Sequence, residues 1–169
     1  MGGQIIVNES IYLKNNFFSD DECDFLISYF EDRESSSHYY ECNQTHTLTI
    51  ISSDDHNIDD TLRPFYDKIQ NIITKIEGPN FYINVSEIVR WSSGSSVMKP
   101  HLDRKEDLFG VIIYLNDDFL GGKTYFKNGI MISPKKGSIL LFTGNKIEHG
   151  VTPAINGDRL TVTCWIRSK

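Results

Sequence analysis

The sequence predicts an α+β protein that is mainly β, with two helices first and about seven or eight short strands after them. Apolar residues recur at the helical period before residue 79. From residue 81 onward, short segments rich in β-branched and aromatic residues alternate with turn residues, as in a sandwich or barrel. We expect one domain over 1–169, with a helical and strand part at 1–79 and a β core at 80–169.

The first helix is predicted to begin after Ser19, because Ser19-Asp-Asp-Glu22 is a capping box and an apolar stripe of about 12 residues follows it. Residues 4–18 read as one or two edge strands. A second helix is predicted over Ile58 to Ile76, with a start or a kink near Pro64, and it should end at Gly78, which precedes a proline.

The remaining strands are short. We predict them at Thr47 to Ile51 and at 81–91, 97–103, 109–115, 122–127, 130–133, 138–143 and 157–166. The polar segment 33–45 is interpreted as a loop or an irregular strand, and the polar segment 52–60, which lacks periodicity, is interpreted as a loop. Either could cover a substrate.

The last predicted strand has two different faces. Leu160, Val162, Cys164 and Ile166 form an apolar face, which suits a position under the helices. Arg159, Thr161, Thr163 and Trp165 form the opposite face, which suits the wall of a wet pocket.

Composition excludes several classes of protein. Apolar content is 39%, charged content is 24% and the net charge is −6, so neither disorder nor a nucleic-acid partner is expected. No apolar run approaches the roughly 20 residues of a membrane helix, and no signal peptide is recognisable. Three cysteines without a paired spacing predict free thiols and a cytoplasmic location.

His101-Leu102-Asp103 places an imidazole and a carboxylate on one side of an extended chain. With His149, these residues could supply two histidines and one carboxylate, the ligand set of non-haem Fe(II) oxygenases. Arg159 could hold a small dicarboxylate beside the metal. Each residue alone also has an ordinary interpretation, such as a surface hydrogen bond or salt bridge.

The combination resembles the iron(II)/2-oxoglutarate-dependent dioxygenases, and among them the prolyl 4-hydroxylase-like family. The resemblance rests on His101-Leu-Asp103, His149-Gly-Val-Thr-Pro and Arg159 followed by Trp165. Further family-like segments stand in the same order: Phe17-Phe-Ser-Asp-Asp-Glu-Cys23, Tyr114-Leu-Asn-Asp, Gly121-Gly-Lys-Thr-Tyr-Phe and Pro134-Lys-Lys-Gly-Ser-Ile-Leu-Leu-Phe. The resemblance implies a double-stranded β-helix (jelly-roll, cupin-like) core, with the helices on the outer face of one sheet.

The resemblance also implies the roles of individual residues. His101, Asp103 and His149 would bind Fe(II), and Arg159 would pair with 2-oxoglutarate. Other expected contacts with 2-oxoglutarate are Tyr114, Trp91, Thr124 and Thr161. Trp165, Met98 and Arg104 are the expected substrate residues. Ile112, Leu141 and Trp165 are candidates for an apolar wall around the metal.

Two positions depart from the family pattern. Arg159 stands where collagen-type prolyl 4-hydroxylases usually carry Lys, and Arg is the better bidentate partner for a carboxylate. Met98 stands three residues before His101, where peptide-modifying members usually have Tyr.

The expected activity is hydroxylation of an unactivated C–H bond with O2 and 2-oxoglutarate, supported by ascorbate. A prolyl residue of a peptide or protein is the first expected substrate. The same chemistry on a free amino acid or other small molecule is an alternative. A nucleic-acid dealkylase and a non-enzymatic metal- or sugar-binding jelly-roll module are further alternatives. Neither a membrane partner nor a particular oligomeric state, monomer or homodimer, is predicted.

Overall fold

A computed structural model describes residues 4–8, 10–53 and 58–169. The described part contains two α-helices, α1 (Asp20–Glu31) and α2 (Arg63–Glu77), and a 3-10 turn at Glu34–Ser36. Its strands are β1 (Gln4–Asn8), β2 (Ile11–Lys14), β3 (His38–Tyr40), β4 (Thr45–Ser52), β5 (Phe81–Trp91), β6 (Met98–His101), β7 (Phe109–Tyr114), β8 (Leu120–Gly121), β9 (Thr124–Phe126), β10 (Met131–Ile132), β11 (Ile139–Phe142), β12 (His149–Val151), β13 (Ala154–Ile155) and β14 (Arg159–Ser168).

The strands form one large and two small sheets. The large sheet has the order β1-β2-β11-β7-β14-β5-β4-β3, and its pairings are antiparallel. A four-stranded sheet has the order β10-β9-β12-β6, and β13 pairs with β8. A cavity lies between the large sheet and the four-stranded sheet, since residues of both line it.

Both helices pack on the other face of the large sheet, as predicted. Buried residues of α1 and α2 form one apolar cluster with the apolar face of β14. This cluster includes Cys23, Leu26, Phe30, Ile69, Ile73, Val162, Cys164 and Ile166. Burying a large apolar side chain stabilises the fold by about 1.5–3 kcal/mol. The cluster therefore fixes which face of β14 remains for the cavity.

The first helix agrees closely with its prediction. Ser19 is the N-cap, its Oγ accepts a hydrogen bond from the Glu22 backbone N–H at 3.2 Å, and Glu22 accepts one from the Ser19 backbone N–H at 2.7 Å. The helix has the 12 residues expected.

The second helix begins at Arg63, next to Pro64, so the start expected near Pro64 is confirmed and the start at Ile58 is not. Pro64 lies in the first turn, where its missing N–H costs no intrahelical hydrogen bond. The predicted end at Gly78 is confirmed, because this residue caps the helix with a φ of +100°.

The strand predictions missed the shortest elements. Segment 33–45, interpreted as a loop or an irregular strand, contains β3, whereas three strands of two or three residues near 120, 150 and 155 were not predicted. From residue 81 the described chain has ten strands rather than seven or eight. Such short strands carry no detectable alternation. Part of the loop predicted at 52–60, residues 54–57, lies outside the described residues.

Candidate metal centre

Two neighbouring strands position the predicted metal ligands. His101 is the last residue of β6 and lies directly opposite His149 on β12. Asp103 follows two residues later, and its backbone N–H donates to the Gly144 carbonyl at 2.9 Å. His101 and His149 are 48 residues apart in the sequence, and several strands lie between them along the chain. The pairing of β6 with β12 therefore brings the predicted ligands together.

The three side chains converge on one point. Their ligand atoms all lie within 4.8 Å of one another, and within the described residues no other group of three such side chains does so. Asp103 Oδ1 is 3.7 Å from His101 Nε2 and 3.7 Å from His149 Nε2. This spacing leaves room for one ion between the three atoms.

Backbone contacts orient both imidazoles. The Nδ1 of His101 is 3.0 Å from the Lys99 carbonyl, and the Nδ1 of His149 is 3.0 Å from the Ile147 carbonyl. A carbonyl can only accept, so each Nδ1–H donates and each Nε2 lone pair is left for a metal. Each ring is thus held in the tautomer that a metal ligand needs.

Burial sets the electrostatics of the triad. Burial raises the pKa of the Asp103 carboxyl, while the facing His149 and His101 act in the opposite direction. Burial also lowers the pKa of His149, which favours the neutral imidazole. Neutral imidazoles and a carboxylate match the ligand preference of a non-haem Fe(II) site, so the donor set fits this ion.

Aromatic and glycine residues that the sequence analysis did not single out complete the metal centre. The Phe142 ring packs edge-on to His149 with centroids 4.6 Å apart. A Cβ at Gly144 would lie 1.9 Å from Asp103 Oδ2, so a side chain there would displace the carboxylate. Leu141, a predicted wall residue, instead belongs to the helix-side cluster, because the register of β11 points its neighbour Phe142 into the cavity.

Arg159 is the second chemical feature of the cavity. It lines the cavity at the start of β14, and only 1% of its surface is exposed. None of its three guanidinium nitrogens has a hydrogen-bond partner among the described residues. Burial lowers the pKa of Arg159 to about 10 against the opposing effect of the neighbouring Tyr114, which leaves Arg159 charged at neutral pH. A buried charge without a partner is costly, so the site fits an anionic ligand.

Two aromatic rings flank this guanidinium. Arg159 Cζ lies 5.1 Å from the Trp91 ring centre and 5.4 Å from that of Tyr114. The Tyr114 hydroxyl lies 2.8 Å from Thr124 Oγ1, and Thr161 is fully buried beside them on β14. Tyr114, Thr124 and Thr161 do not line the cavity itself. These three residues surround Arg159 on the side away from the cavity, whereas Trp91 lines the cavity.

The cavity has a volume of about 450 Å³, enough for a small ligand with part of a second one. The three predicted substrate residues Trp165, Met98 and Arg104 all line it. Trp165 is half-buried, and its indole opposes the rise that burial causes in the pKa of the Asp103 carboxyl. Arg104 is exposed at the rim, and Met98 packs with Val89, Trp91 and Val151.

Comparison with known proteins agrees with this geometry. The sequence model of the "2OG-Fe(II) oxygenase superfamily" matches residues 86–167, which include the triad and Arg159. This part of the chain belongs to the 2OG-Fe(II) oxygenase superfamily.

Two plant proteins are among the relatives of this oxygenase domain. Prolyl 4-hydroxylase 1 of Arabidopsis thaliana is 28% identical over 42% of the chain and 36% of that protein. Probable prolyl 4-hydroxylase 7 of the same plant is 22% identical over 94% of the chain and 63% of that protein. The chain thus covers less than two thirds of the length of either relative.

Solved structures of the superfamily share the fold. The viral collagen prolyl hydroxylase of Paramecium Bursaria Chlorella virus-1, in its 2OG complex, has a TM-score of 0.76 at 18% identity over 96% of this chain and 98% of that one. A Pseudomonas putida prolyl-4-hydroxylase has a TM-score of 0.73 at 19% identity over 95% and 93%. A Trichoplax adhaerens prolyl hydroxylase, in complex with a hypoxia inducible factor peptide fragment, has 0.75 at 16% identity over 95% and 84%. The predicted jelly-roll fold is therefore confirmed.

Proposed function

We propose that the chain is an Fe(II)- and 2-oxoglutarate-dependent dioxygenase that hydroxylates an unactivated C–H bond, first of all in a prolyl residue of a peptide or protein. The observation that carries this proposal is the buried, partnerless guanidinium of Arg159 in the same cavity as the His-Asp-His triad. A metal triad and a carboxylate receptor side by side fit a dicarboxylate that also binds the metal.

In this proposal, His101, Asp103 and His149 hold Fe(II). With 2-oxoglutarate and O2, iron supplies the oxidation of a C–H bond, and ascorbate keeps the iron reduced. Arg159 would pair with the distal carboxylate of 2-oxoglutarate. Tyr114 and Thr124 hold the guanidinium in place from behind, Thr161 closes the wall next to them, and Trp91 covers the aliphatic part of the ligand.

The remaining side chains orient the substrate and exclude water. Trp165 and Met98 form an apolar surface beside the triad, on which a pyrrolidine ring could pack. Phe142 and Ile112 shield the metal from the far side, since both line the same cavity. Excluding water protects the oxidising centre from side reactions. Arg104 at the rim would contact the outer part of a substrate.

Several finer points are part of the same proposal. Residues 1–169 would act as one catalytic domain. Free Cys23, Cys42 and Cys164 fit a reducing, cytoplasmic compartment. No helix among the described residues is long and apolar enough to cross a membrane.

Turnover of 2-oxoglutarate tests the proposal. Protein supplied with Fe(II), ascorbate and 2-oxoglutarate should form succinate, and a panel of proline peptides and free amino acids should stimulate this reaction. Asp103→Ala should abolish turnover, whereas Glu31→Gln on the exposed end of α1 should not. If wild type forms no succinate with any compound, the dioxygenase proposal fails.

Ligand binding separates the enzyme from a non-enzymatic metal-binding module. Titration with Mn(II) in place of iron, followed by 2-oxoglutarate, should show tight 2-oxoglutarate binding only to the metal-loaded protein. Arg159→Met should keep Mn(II) binding and lose 2-oxoglutarate binding. A module without this chemistry would bind the metal and show no affinity for 2-oxoglutarate.

A further inference from the structure

One acidic side chain in the cavity has no role in the proposed reaction. Glu87 lies in the middle of β5 and lines the cavity together with the triad and Arg159. It is opposite Thr163 on β14 and Thr49 on β4, so its side chain projects from the cavity face of the large sheet. A carboxylate at a partly buried position of the cavity requires an explanation.

The environment of Glu87 compensates its charge only in part. Its one described hydrogen bond is with the Thr49 hydroxyl, which donates to Oε1 at 3.3 Å. No lysine or arginine of the described residues forms an ion pair with it. Its same-face neighbours along β5 are Val85 and Val89. Burial raises the pKa of Glu87, and His38, exposed on β3, is the titratable group that opposes this shift.

The carboxylate is close to the reaction centre. Trp165, which lines the cavity together with Asp103, pairs with Val85, so Glu87 is its diagonal neighbour across the β5–β14 pair. Diagonal neighbours in an antiparallel pair lie about 7–8 Å apart at Cα. A substrate positioned beside Trp165 can therefore reach Glu87 with a second group.

We propose that Glu87 is a specificity-determining residue that selects a substrate with a positively charged nitrogen group near the hydroxylated carbon. An ammonium or guanidinium group would form a charge-assisted hydrogen bond with the carboxylate in a partly desolvated site. A lysine or arginine beside the target residue of a peptide, and the side chain of a free basic amino acid, share this chemistry. This inference rests on the proposed dioxygenase function.

Matched substrates test the inference. Blocked pentapeptides centred on proline would carry Lys or Arg, or the uncharged norleucine or citrulline, at each flanking position. Free L-lysine and L-arginine would be compared with L-norleucine and L-citrulline. Succinate formation by wild type should be at least tenfold higher with one or more charged compounds than with their uncharged counterparts. A response of the peptide set would indicate a peptide substrate, and a response of the free amino acids would indicate a small-molecule substrate.

Variants then assign the preference to Glu87. Glu87→Gln should reduce the charged-to-uncharged ratio to about one, mainly through KM, and Glu87→Lys should invert it. Mn(II) and 2-oxoglutarate affinity should be unchanged in both variants. Glu31→Gln, which removes a carboxylate from the opposite face of the sheet, should keep the preference.

Other outcomes would overturn the inference. It fails if wild type does not distinguish charged from uncharged compounds, or if Glu87→Gln keeps the preference. It also fails if no charged compound stimulates turnover or binds, in calorimetry, to the protein loaded with Mn(II) and 2-oxoglutarate. Normal 2-oxoglutarate binding together with any of these results leaves the dioxygenase proposal standing. Loss of 2-oxoglutarate binding in wild type would instead remove both.

Discussion

At the scale of single residues, Arg159 combines a structural cost with a functional use. Its guanidinium is buried and has no hydrogen-bond partner among the described residues, and the Trp91 and Tyr114 rings flank it. Natural proteins keep such a group where a ligand completes its hydrogen bonds. The ligand-free protein should therefore be less stable than its core would allow.

Arg159→Met should stabilise the ligand-free protein. Removing a buried polar group without a partner gains about 1–3 kcal/mol, and loss of the two ring contacts offsets part of this gain. We expect a net increase on the order of 1 kcal/mol in the free energy of unfolding, measured with urea. With Mn(II) present, 2-oxoglutarate should raise the Tm of wild type but not of the variant. A large loss of stability in Arg159→Met would contradict this account of the residue.

Gly144 is a second residue with a role at the metal centre, because its missing side chain leaves space for the Asp103 carboxylate. Because a Cβ there would overlap the Asp103 carboxylate, Gly144→Ala should weaken Mn(II) binding by about 10–100-fold, the effect typical of disturbed support around a metal ligand. Gly94→Ala is the control. The space around Gly94 is open and its φ is +79°, so this change should cost stability and leave metal affinity unchanged. Equal metal affinity in the two variants would argue against the role of Gly144.

At the scale of elements, the helices and the metal centre lie on opposite faces of the large sheet. The capping box of α1 stabilises the helix and touches nothing in the cavity. Stability and metal binding should therefore respond separately to changes in this helix.

Ser19→Ala removes the N-cap acceptor of α1 and should lower the free energy of unfolding by about 1 kcal/mol. Calorimetric Mn(II) affinity, measured well below the Tm, should not change. Ser28→Ala, at an exposed position inside the same helix, should be neutral or slightly stabilising, because Ala has the higher helix propensity. An equal loss in both variants would show that the cap contributes nothing.

At the scale of the whole molecule, folding separates the three cysteines into two classes. Cys23 and Cys164 are buried on the helix side of the large sheet, and Cys42 is exposed. Burial raises the pKa of Cys23 to about 11 and that of Cys164 to about 12, so neither forms much thiolate near neutral pH.

A thiol reagent at mildly alkaline pH should consequently label Cys42 alone in the native protein. All three cysteines should react in denaturant, where the chain no longer shields them. Mass spectrometry of the labelled protein measures this difference, and Cys42→Ser should remove the native reaction completely. Rapid labelling of Cys164 in the native state would mean that the helix layer opens readily.

Particular elements show how much could be read from the amino-acid order. The capping box at Ser19, the alternation along β14 and the glycine after α2 each depend on neighbours within a few residues, so the sequence alone predicted them well. The sequence left the start of α2 open between Ile58 and Pro64. Most strands of two or three residues were missed, because tertiary pairing decides them more than local periodicity does.

The sequence by itself determined the residue types of the metal centre, since His101, Asp103, His149 and Arg159 stand in a recognisable order. Only the tertiary structure decided that β12 lies against β6, that Phe142 rather than Leu141 faces the cavity, and that Glu87 shares the floor with Arg159. These facts depend on strand register, because a shift of one residue turns every side chain of a strand to the other face. Register is set by packing of the whole sheet against the helices and is not encoded in any short segment.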